Sequence, residues 1–383
     1  MPIFTYMLIF VPLAVIAEYV LHAPPTVIFL FSALSLIPLA AFMGEATEEL
    51  TIHTGPRIGG LIQATLGNAA ELIIATVALK NHQIELVKAS VTGSIIGNVL
   101  LVLGLSLFLG GLKHGPQRFD RTLTGLAASM MLLAVIGLIV PTLFEVLQQI
   151  AHPGTPVQVF HTETDDPQLI VISLGVAGVL MGIYVLSMIH LLTGGGEESP
   201  VHVGEESPVH AGEESHAYAA GTREPVEHTA KWDVKTAVGV LAGVTIAIVF
   251  MSEFLVDTVD PVAQSLGIRP LFLGVIIVPI VGNVAENAVA IVAARKNNLD
   301  LTMSIAFGSS MQVVLFVTPL LVFASLLFGQ TMTLFFNLFE VAALGLSVML
   351  ATSISLDGES NWLEGATLIA LWMIVGLGFF FID

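Results

Sequence analysis

The sequence contains no cysteine, and only 11% of its 383 residues are charged. Without cysteine the chain has no disulfide framework, no thiolate metal site and no cysteine nucleophile. Its twelve Lys and Arg residues are scattered, which excludes a basic surface for nucleic acid. Soluble domains are about 25% charged, whereas this chain is 55% hydrophobic and has a mean hydropathy of +0.91. These values indicate a polytopic membrane protein that lies in the lipid bilayer.

Eleven apolar runs are long enough to cross a membrane, which takes about 20 residues in a helix. We therefore predict an all-α polytopic fold. The predicted spans are residues 3–21, 26–44, 57–79, 85–110, 121–148, 168–192, 235–256, 270–294, 299–327, 331–355 and 362–382. The first run has no basic segment before it and is longer than a signal-peptide core, so we interpret it as a span.

One motif occurs twice within these spans. GNAAE at 67–71 returns as GNVAE at 282–286, and the register that pairs Gly67 with Gly282 continues without a gap as far as about Leu107. Such a repeat register indicates an internal duplication. We predict a first helix at 1–22, a five-helix repeat at 26–193, a linker at 194–234 and a second five-helix repeat at 235–383. An odd number of spans inverts the second copy, as in many secondary transporters.

The basic residues predict which side of the membrane the loops face. If the N-terminus is cytoplasmic, nine basic residues lie in inner loops and three in outer loops, in agreement with the positive-inside rule. The inner residues are Arg57, Lys113, Arg118, Arg121, Arg223, Lys231, Lys235, Arg295 and Lys296, and the outer residues are Lys80, Lys88 and Arg269. We expect a multi-pass protein of the cell membrane with a cytoplasmic N-terminus and linker.

Much of the formal charge of −18 lies in residues 194–230. The segment GEESPVH at 196–202 recurs at 204–210 and in part at 212–216, and its proline and glycine residues argue against a long helix. The paired acids are Glu197, Glu198, Glu205, Glu206, Glu213 and Glu214. We predict an acidic, low-complexity linker and interpret it first as a solvated connection between the two repeats. The alternative is that its paired glutamates bind Ca²⁺ weakly and regulate the protein.

Each copy of the motif places a glutamate near the middle of a hydrophobic run. An ionised, unpaired carboxylate there costs about 2.5–3.5 kcal/mol or more, so two of them need a function. Asn68 shares a helix face with Glu71, and Asn283 shares one with Glu286. A bend at the motif glycine, or at Pro279 in the second copy, would free backbone carbonyls as further ligands.

Pseudo-two-fold symmetry would place the two glutamates opposite each other. Their carboxylates, with amide and carbonyl oxygens, form an oxygen-only site of the kind that Ca²⁺ prefers. Protons compete with the cation for the same oxygens, because two close anions in a low dielectric favour proton uptake. The two asparagines are predicted metal ligands, and the alternative is that each only orients its glutamate.

The span after each motif supplies a second set of polar side chains. Ser94 and Asn98 share a helix face in the first repeat, as do Ser309 and Gln312 in the second. We predict that they support the cation and proton pathway. The alternative is that small residues and amides only hold the helices together.

Two acids ahead of the motifs are further candidates for this pathway. Glu48 and Glu253 occupy similar places in the two repeats, although the spacing between each acid and its motif differs. A position in water at the membrane edge is the alternative for Glu48.

The paired GNAAE and GNVAE motifs, the GSIIGN and GSSMQ segments after them, the one-plus-five-plus-five span pattern and the acidic linker resemble the calcium/cation antiporter superfamily. They are most similar to its cation/proton exchanger branch. The resemblance implies Ca²⁺ binding and proton antiport at Glu71 and Glu286, alternating access by a sliding gating bundle, and homo-oligomers. Gln312 stands where sodium/calcium exchangers usually have an acid, which favours coupling to protons. The tandem linker departs from the family's plain acidic run.

We therefore expect a secondary transporter that exchanges Ca²⁺ for H⁺, with Ca²⁺ as its substrate and no cofactor. Two alternatives stay open: Na⁺/Ca²⁺ exchange, and a calcium-sensing membrane protein that acts through the linker. The sequence shows no nucleophile–base pair, phosphate loop or metalloprotease motif, so we do not expect an enzyme.

Overall fold

The structure, a computed structural model, describes residues 2–151, 166–194 and 230–382. Long helices dominate it. They are α1 (Pro2–Met7), α2 (Phe10–Tyr19), α3 (Pro25–Leu66), α4 (Ala69–Lys80), α5 (Ile84–Ile96), α6 (Leu103–His114), α7 (Arg121–Ala151), α8 (Pro167–Gly194), α9 (Val234–Leu266), α10 (Pro270–Phe272), α11 (Val278–Arg295), α12 (Leu299–Gln312), α13 (Thr318–Leu327), α14 (Leu338–Ile354) and α15 (Trp362–Phe381). Three π-helical turns join helices into longer spans: Gly97–Val102, Leu273–Ile277 and Val313–Val317.

The predicted fold class, an all-α polytopic membrane protein, is confirmed. Among the described residues, nine helical stretches are long and apolar enough to cross a membrane. Two shorter apolar stretches, Ile3–Tyr19 and Leu338–Ile354, stand where the first and tenth spans are predicted. The tenth begins late because Asn337 caps α14 by accepting from the Phe339 N–H at 2.7 Å. The exact count of eleven spans stays a prediction.

The two copies of the motif are followed by the same local structure. Helix α5 begins at Ile84 and α12 begins at Leu299, and these two positions are equivalent in the repeat register. The turn before each contains a non-glycine residue with a left-handed backbone, His82 with φ 60° and Asn297 with φ 63°. Such residues are uncommon, so their equivalent placement supports the internal duplication.

The two motif helices differ at the motif itself. In the first copy, α3 ends at Leu66 and α4 begins at Ala69, with Asn68 between them at φ −105° and ψ 29°. In the second copy α11 continues through the motif, and Pro279 lies in its first turn, directly after the π-helical turn Leu273–Ile277. Irregular turns of this kind accommodate a residue that cannot donate to the helix. The break at the motif therefore lies in the first copy, and Pro279 does not interrupt the second.

Packing places the motif helices at the centre of the bundle. Helix α11 packs against α3, α6 and α12, and α3 packs along α9. A two-stranded antiparallel ladder, which the sequence does not predict, pairs β1 (Gln117–Arg118) with β2 (Glu359–Ser360). This ladder joins the turn after α6 to the turn before α15.

Candidate cation site

The two motif glutamates come together between α4 and α11. Glu71 stands in the first turn of α4 and is only 7% exposed, while Glu286 is partly buried on α11. A Cβ atom at Gly282 would lie 3.5 Å from Oε1 of Glu71, at ordinary van der Waals distance, so the carboxylate lies against the second motif. Glu71 also interacts electrostatically with Glu286. The fold thus brings the predicted pair of carboxylates together.

Ser309 is the centre of a polar network that connects the two repeats. Its Oγ accepts from Nδ2 of Asn98 at 3.2 Å and donates to Oδ1 of Asn68 at 2.9 Å. The same Oγ lies 3.1 Å from Oε2 of Glu286. Nδ2 of Asn68 in turn donates to Oε1 of Gln312 at 2.7 Å. Five of the predicted site residues therefore form one connected network.

The Ser309 hydroxyl has one proton and two acceptors within reach. A serine hydroxyl has one proton and two acceptor lone pairs. Ser309 accepts from Asn98, and its own proton can go to Asn68 or to Glu286. An ionised Glu286 is the stronger acceptor, because hydrogen bonds to a charged group are stronger than those between neutral groups. Ser309 therefore donates to Glu286 when that acid is ionised.

A small cavity beside the network is lined by Ser94 and Asn283. Its volume is about 10 Å³, close to the least that holds one water molecule. Nδ2 of Asn283 donates to the Pro279 carbonyl at 3.1 Å, while its Oδ1 is buried without a hydrogen-bond partner among the described residues. Asn287 also lines the cavity. The comparison of the two copies missed it because the repeat register pairs it with Leu72.

Glu48 and Glu253 are not joined to the network. Glu48 is exposed on α3, and Glu253 forms an ion pair with Lys80 at 3.2 Å. Their role in the pathway stays a prediction. The linker acids Glu197, Glu198, Glu205, Glu206, Glu213 and Glu214 lie outside the described residues.

The last residues of the predicted linker are held against α3 by a different acid. Glu49 is only 4% exposed and accepts from the backbone N–H groups of Lys231 at 2.8 Å and Trp232 at 3.1 Å. Asp233 follows at the start of α9, where a hydrogen bond from the Thr236 hydroxyl lowers the pKa of its carboxyl group. An ionised acid is favourable at that helix end.

The donor set of the site is made of oxygen atoms. Among the described residues, no group of three or more His, Cys, Asp or Glu side chains is placed to hold a metal ion. The site instead combines the carboxylates of Glu71 and Glu286 with neighbouring amide and hydroxyl groups. Ca²⁺ accepts such hard oxygen ligands in irregular geometry, and two carboxylates balance its charge.

Known proteins resemble this chain over nearly its full length. Residues 24–193 and 236–381 match the sodium/calcium exchanger protein family. The chain is 42% identical over 381 residues to a Ca(2+)/H(+) antiporter of Aphanothece halophytica, with 99% of this chain and 96% of that protein covered. It is 40% identical over 372 residues to the Ca(2+)/H(+) antiporter ChaA of Bacillus subtilis, with 97% and 96% covered.

Solved structures share the fold. The structure described as native YfkE matches with a TM-score of 0.78 at 36% sequence identity, over 99% of this chain and 100% of that one. The crystal structure of the H+/Ca2+ exchanger CAX matches with a TM-score of 0.67 at 16% identity, over 98% and 91%, which is a likeness of fold. The chain therefore belongs to the sodium/calcium exchanger family.

Proposed function

We propose that this protein is a secondary transporter that exchanges Ca²⁺ for H⁺ through Glu71 and Glu286. The observation that carries the proposal is the meeting of the buried Glu71 and the partly buried Glu286 in a site of oxygen ligands joined to Ser309. Full-length relatives that are Ca²⁺/H⁺ antiporters support the same function.

In the mechanism, protons and Ca²⁺ compete for the same oxygen atoms. Ca²⁺ binds between the two ionised carboxylates and is bound by amide oxygens of Asn68 and Asn283. When the cation leaves, protons neutralise the carboxylates, and the Ser309 hydroxyl then donates to Asn68 instead of to an ionised Glu286. Either load neutralises the site. Because an empty, charged site is costly at membrane depth, only the loaded forms switch readily between the two sides, which couples the two fluxes.

The wider organisation belongs to the same proposal. Two inverted five-helix repeats, at 26–193 and 235–383, follow a first helix at 1–22. The 194–234 linker and the N-terminus face the cytoplasm, and the protein lies in the cell membrane. The shared local structure after each motif supports the repeats. Glu48 and Glu253 are secondary pathway residues, the linker acids are regulatory, and the protein forms homo-oligomers.

The direct test is ⁴⁵Ca²⁺ uptake into proteoliposomes with an imposed pH gradient, with and without sodium. We expect uptake that follows the pH gradient, collapses with a protonophore and ignores sodium. Uptake that follows a sodium gradient and ignores the pH gradient would establish Na⁺/Ca²⁺ exchange instead.

Replacing either motif acid tests the site itself. We expect Glu71→Gln and Glu286→Gln each to abolish exchange, because a single remaining carboxylate neither balances Ca²⁺ nor exchanges it for protons. Glu145→Gln is the matched control, since Glu145 is also buried, at 6% exposure, but lies on α7 outside the motifs. A Glu71→Gln or Glu286→Gln protein that exchanges at the wild-type rate would remove that residue from the mechanism.

A further inference from the structure

A tyrosine outside both motifs caps the broken end of the first motif helix. Helix α3 stops at Leu66, so its last carbonyl groups lose their helical partners. The Gln63 carbonyl still accepts from the Gly67 N–H at 2.8 Å. The next carbonyl, that of Ala64, accepts from the hydroxyl of Tyr184 on α8 at 2.7 Å.

Tyr184 is held by its hydroxyl group and by its ring. It is 5% exposed, and its ring stacks on Phe316 with the ring centroids 4.9 Å apart and the planes 20° from parallel. Phe316 lies in the π-helical turn Val313–Val317, which starts directly after Gln312. One side chain therefore contacts the end of α3 through its hydroxyl group and the turn beyond Gln312 through its ring.

The second copy of the motif, whose helix is continuous, bonds its asparagine differently. Pro279 corresponds to Ala64 in the repeat register. Its carbonyl accepts from Nδ2 of Asn283 at 3.1 Å, so that amide is occupied within its own helix. In the first copy, where the helix is broken, the Ala64 carbonyl accepts from Tyr184, and Nδ2 of Asn68 donates across the repeats to Gln312 at 2.7 Å. The carbonyl four residues before the asparagine therefore has a different side-chain donor in each copy.

We propose that Tyr184 is a positioning residue of the cation site. By satisfying the Ala64 carbonyl, it leaves the Asn68 amide to reach Gln312 and thereby turns Oδ1 of Asn68 towards Ser309. The inference deepens the proposed function, on which it rests. When the hydroxyl is removed, Asn68 bonds to the Ala64 carbonyl as Asn283 bonds to that of Pro279, and the bridge between the repeats is lost.

Tyr184→Phe tests this, because it keeps the ring on Phe316 and removes only the hydroxyl. We expect the KM for Ca²⁺ to rise about tenfold with kcat within about twofold, as the loss of one buried hydrogen bond predicts. A role confined to folding would lower the amount of active protein and leave KM unchanged. Tyr19→Phe is the control: Tyr19 also packs on a phenylalanine, Phe254, but is 64% exposed. It should leave both constants unchanged.

A double-mutant cycle identifies Asn68 as the residue through which Tyr184 acts. In an Asn68→Ala background, Tyr184→Phe should not raise KM further, because the amide that it would divert is gone. Fully additive effects, an unchanged KM in Tyr184→Phe, or a Tyr184→Phe protein that cannot be recovered folded would each overturn the proposal.

Failure of the proposed function is separated by measuring binding without transport. The Ca²⁺ dependence of thermal unfolding in detergent reports the affinity of the site even if the pH gradient drives no exchange. Suppose that the wild-type protein shows no exchange, but that Tyr184→Phe needs about tenfold more Ca²⁺ than the wild type for the same rise in melting temperature. The proposed function then fails, while the role of Tyr184 stands.

Discussion

Ser309 is the residue at which cation and proton chemistry meet. Its hydroxyl contacts the side-chain amides of Asn98 and Asn68 and the carboxyl group of Glu286. Its equivalent in the first repeat, Ser94, lines the small cavity instead. The two serines are related by sequence but differ in surroundings. The proton-sensitive hydrogen bonds therefore belong to Glu286.

Ser309→Ala should make Ca²⁺ binding more sensitive to acid. Ca²⁺ binds the ionised acids, so its KM rises as the pH falls. Ser309 stabilises the ionised form of Glu286 by donating to its carboxylate. Without that donor, the midpoint of acid inhibition should move to higher pH by about 0.5–1 unit, which corresponds to one net hydrogen bond. The measurement is the KM for Ca²⁺ in proteoliposomes as the pH is varied from about 5.5 to about 8.5, a range that brackets such a shift.

The neighbouring serine provides the control for this change. Ser310 is fully buried in the same helix, but its hydroxyl donates to the Ala306 carbonyl at 2.8 Å. Ser310→Ala should leave the midpoint in place. An unchanged midpoint in Ser309→Ala would mean that this hydroxyl does not stabilise the ionised form of Glu286.

The sequence predicts which residues form the site better than it predicts how they are bonded. Glu71 and Glu286 stand out because acids are costly in apolar spans. The partners of Asn68 and Asn283 are not predictable, since the two residues have the same motif but opposite bonding. The side chain that caps the Ala64 carbonyl, Tyr184, is also unpredictable, because it lies far along the chain.

At the scale of elements, helix α5 carries polar groups for two different partners. Asn98 follows it in the π-helical turn and joins the Ser309 network. Near the other end of α5, Lys88 is 1% exposed, so it lies inside the protein and not in an outer loop as predicted. It interacts electrostatically with Glu340 of α14, which is also 1% exposed. The Thr92 hydroxyl lies beside the same carboxylate. Opposite charges of α5 and α14 therefore interact inside the protein.

Removing one charge of this pair should destabilise the protein strongly. Lys88→Met leaves the Glu340 carboxylate buried without its lysine, which typically costs about 3–5 kcal/mol. Lys88→Met combined with Glu340→Gln should recover most of that loss, because no charge is then left buried. Thermal unfolding in detergent measures both. The second repeat has the buried, apolar Met303 at the position equivalent to Lys88, so methionine fits such a helix.

A surface pair supplies the comparison. Lys80 and Glu253 form an ion pair at 3.2 Å, but their side chains are 59% and 34% exposed. Lys80→Met should therefore cost less than about 1 kcal/mol. Equal losses for Lys80→Met and Lys88→Met, or additive losses in the double variant, would contradict the account of a buried pair.

The positions of elements follow the apolar runs, whereas their ends follow individual side chains. The tenth span begins at its Asn337 cap rather than at 331, because that side chain satisfies the first N–H groups. Pro279 leaves the second motif helical because the irregular turn lies just before it, in Leu273–Ile277. The pairing of β1 with β2 depends on two turns that meet only in the folded chain.

For the whole molecule, each repeat caps a motif helix of the other. Nε2 of Gln117 donates to the Ala294 carbonyl at 3.0 Å, and Nε2 of Gln330 donates to the Leu79 carbonyl at 2.6 Å. Leu79 and Ala294 are equivalent in the repeat register. The two halves are therefore bonded reciprocally, which supports the predicted pair of repeats.

One pair of equivalent glycines breaks this symmetry. A Cβ atom at Gly93 would lie 2.0 Å from the Val275 carbonyl oxygen, because α5 crosses the second repeat there in direct contact. At the equivalent Gly308, a Cβ atom would meet nothing within 4 Å. The helix backbone is therefore in direct contact with the other half at Gly93 but has no neighbour at Gly308. We call these two positions the closed and the open crossing. In an inverted repeat, exchange of the closed and open crossings between the halves is what would move access from one side to the other.

Gly308→Ala should therefore stop exchange without harming the fold. The new methyl group fits the described conformation, where alanine also favours the helix by about 0.5–1 kcal/mol. In the opposite conformation it would block the crossing, and any penalty above about 1.4 kcal/mol shifts the equilibrium more than tenfold. We expect a melting temperature that is unchanged or higher, with Ca²⁺ uptake reduced about tenfold or more.

Gly243→Ala, on α9 and equally free of neighbours, should keep full uptake. Gly93→Ala should instead lower the melting temperature, since backbone atoms must move apart to admit it. Normal uptake by Gly308→Ala would show that the two crossings do not exchange, and that access changes by a movement that leaves Gly308 open throughout.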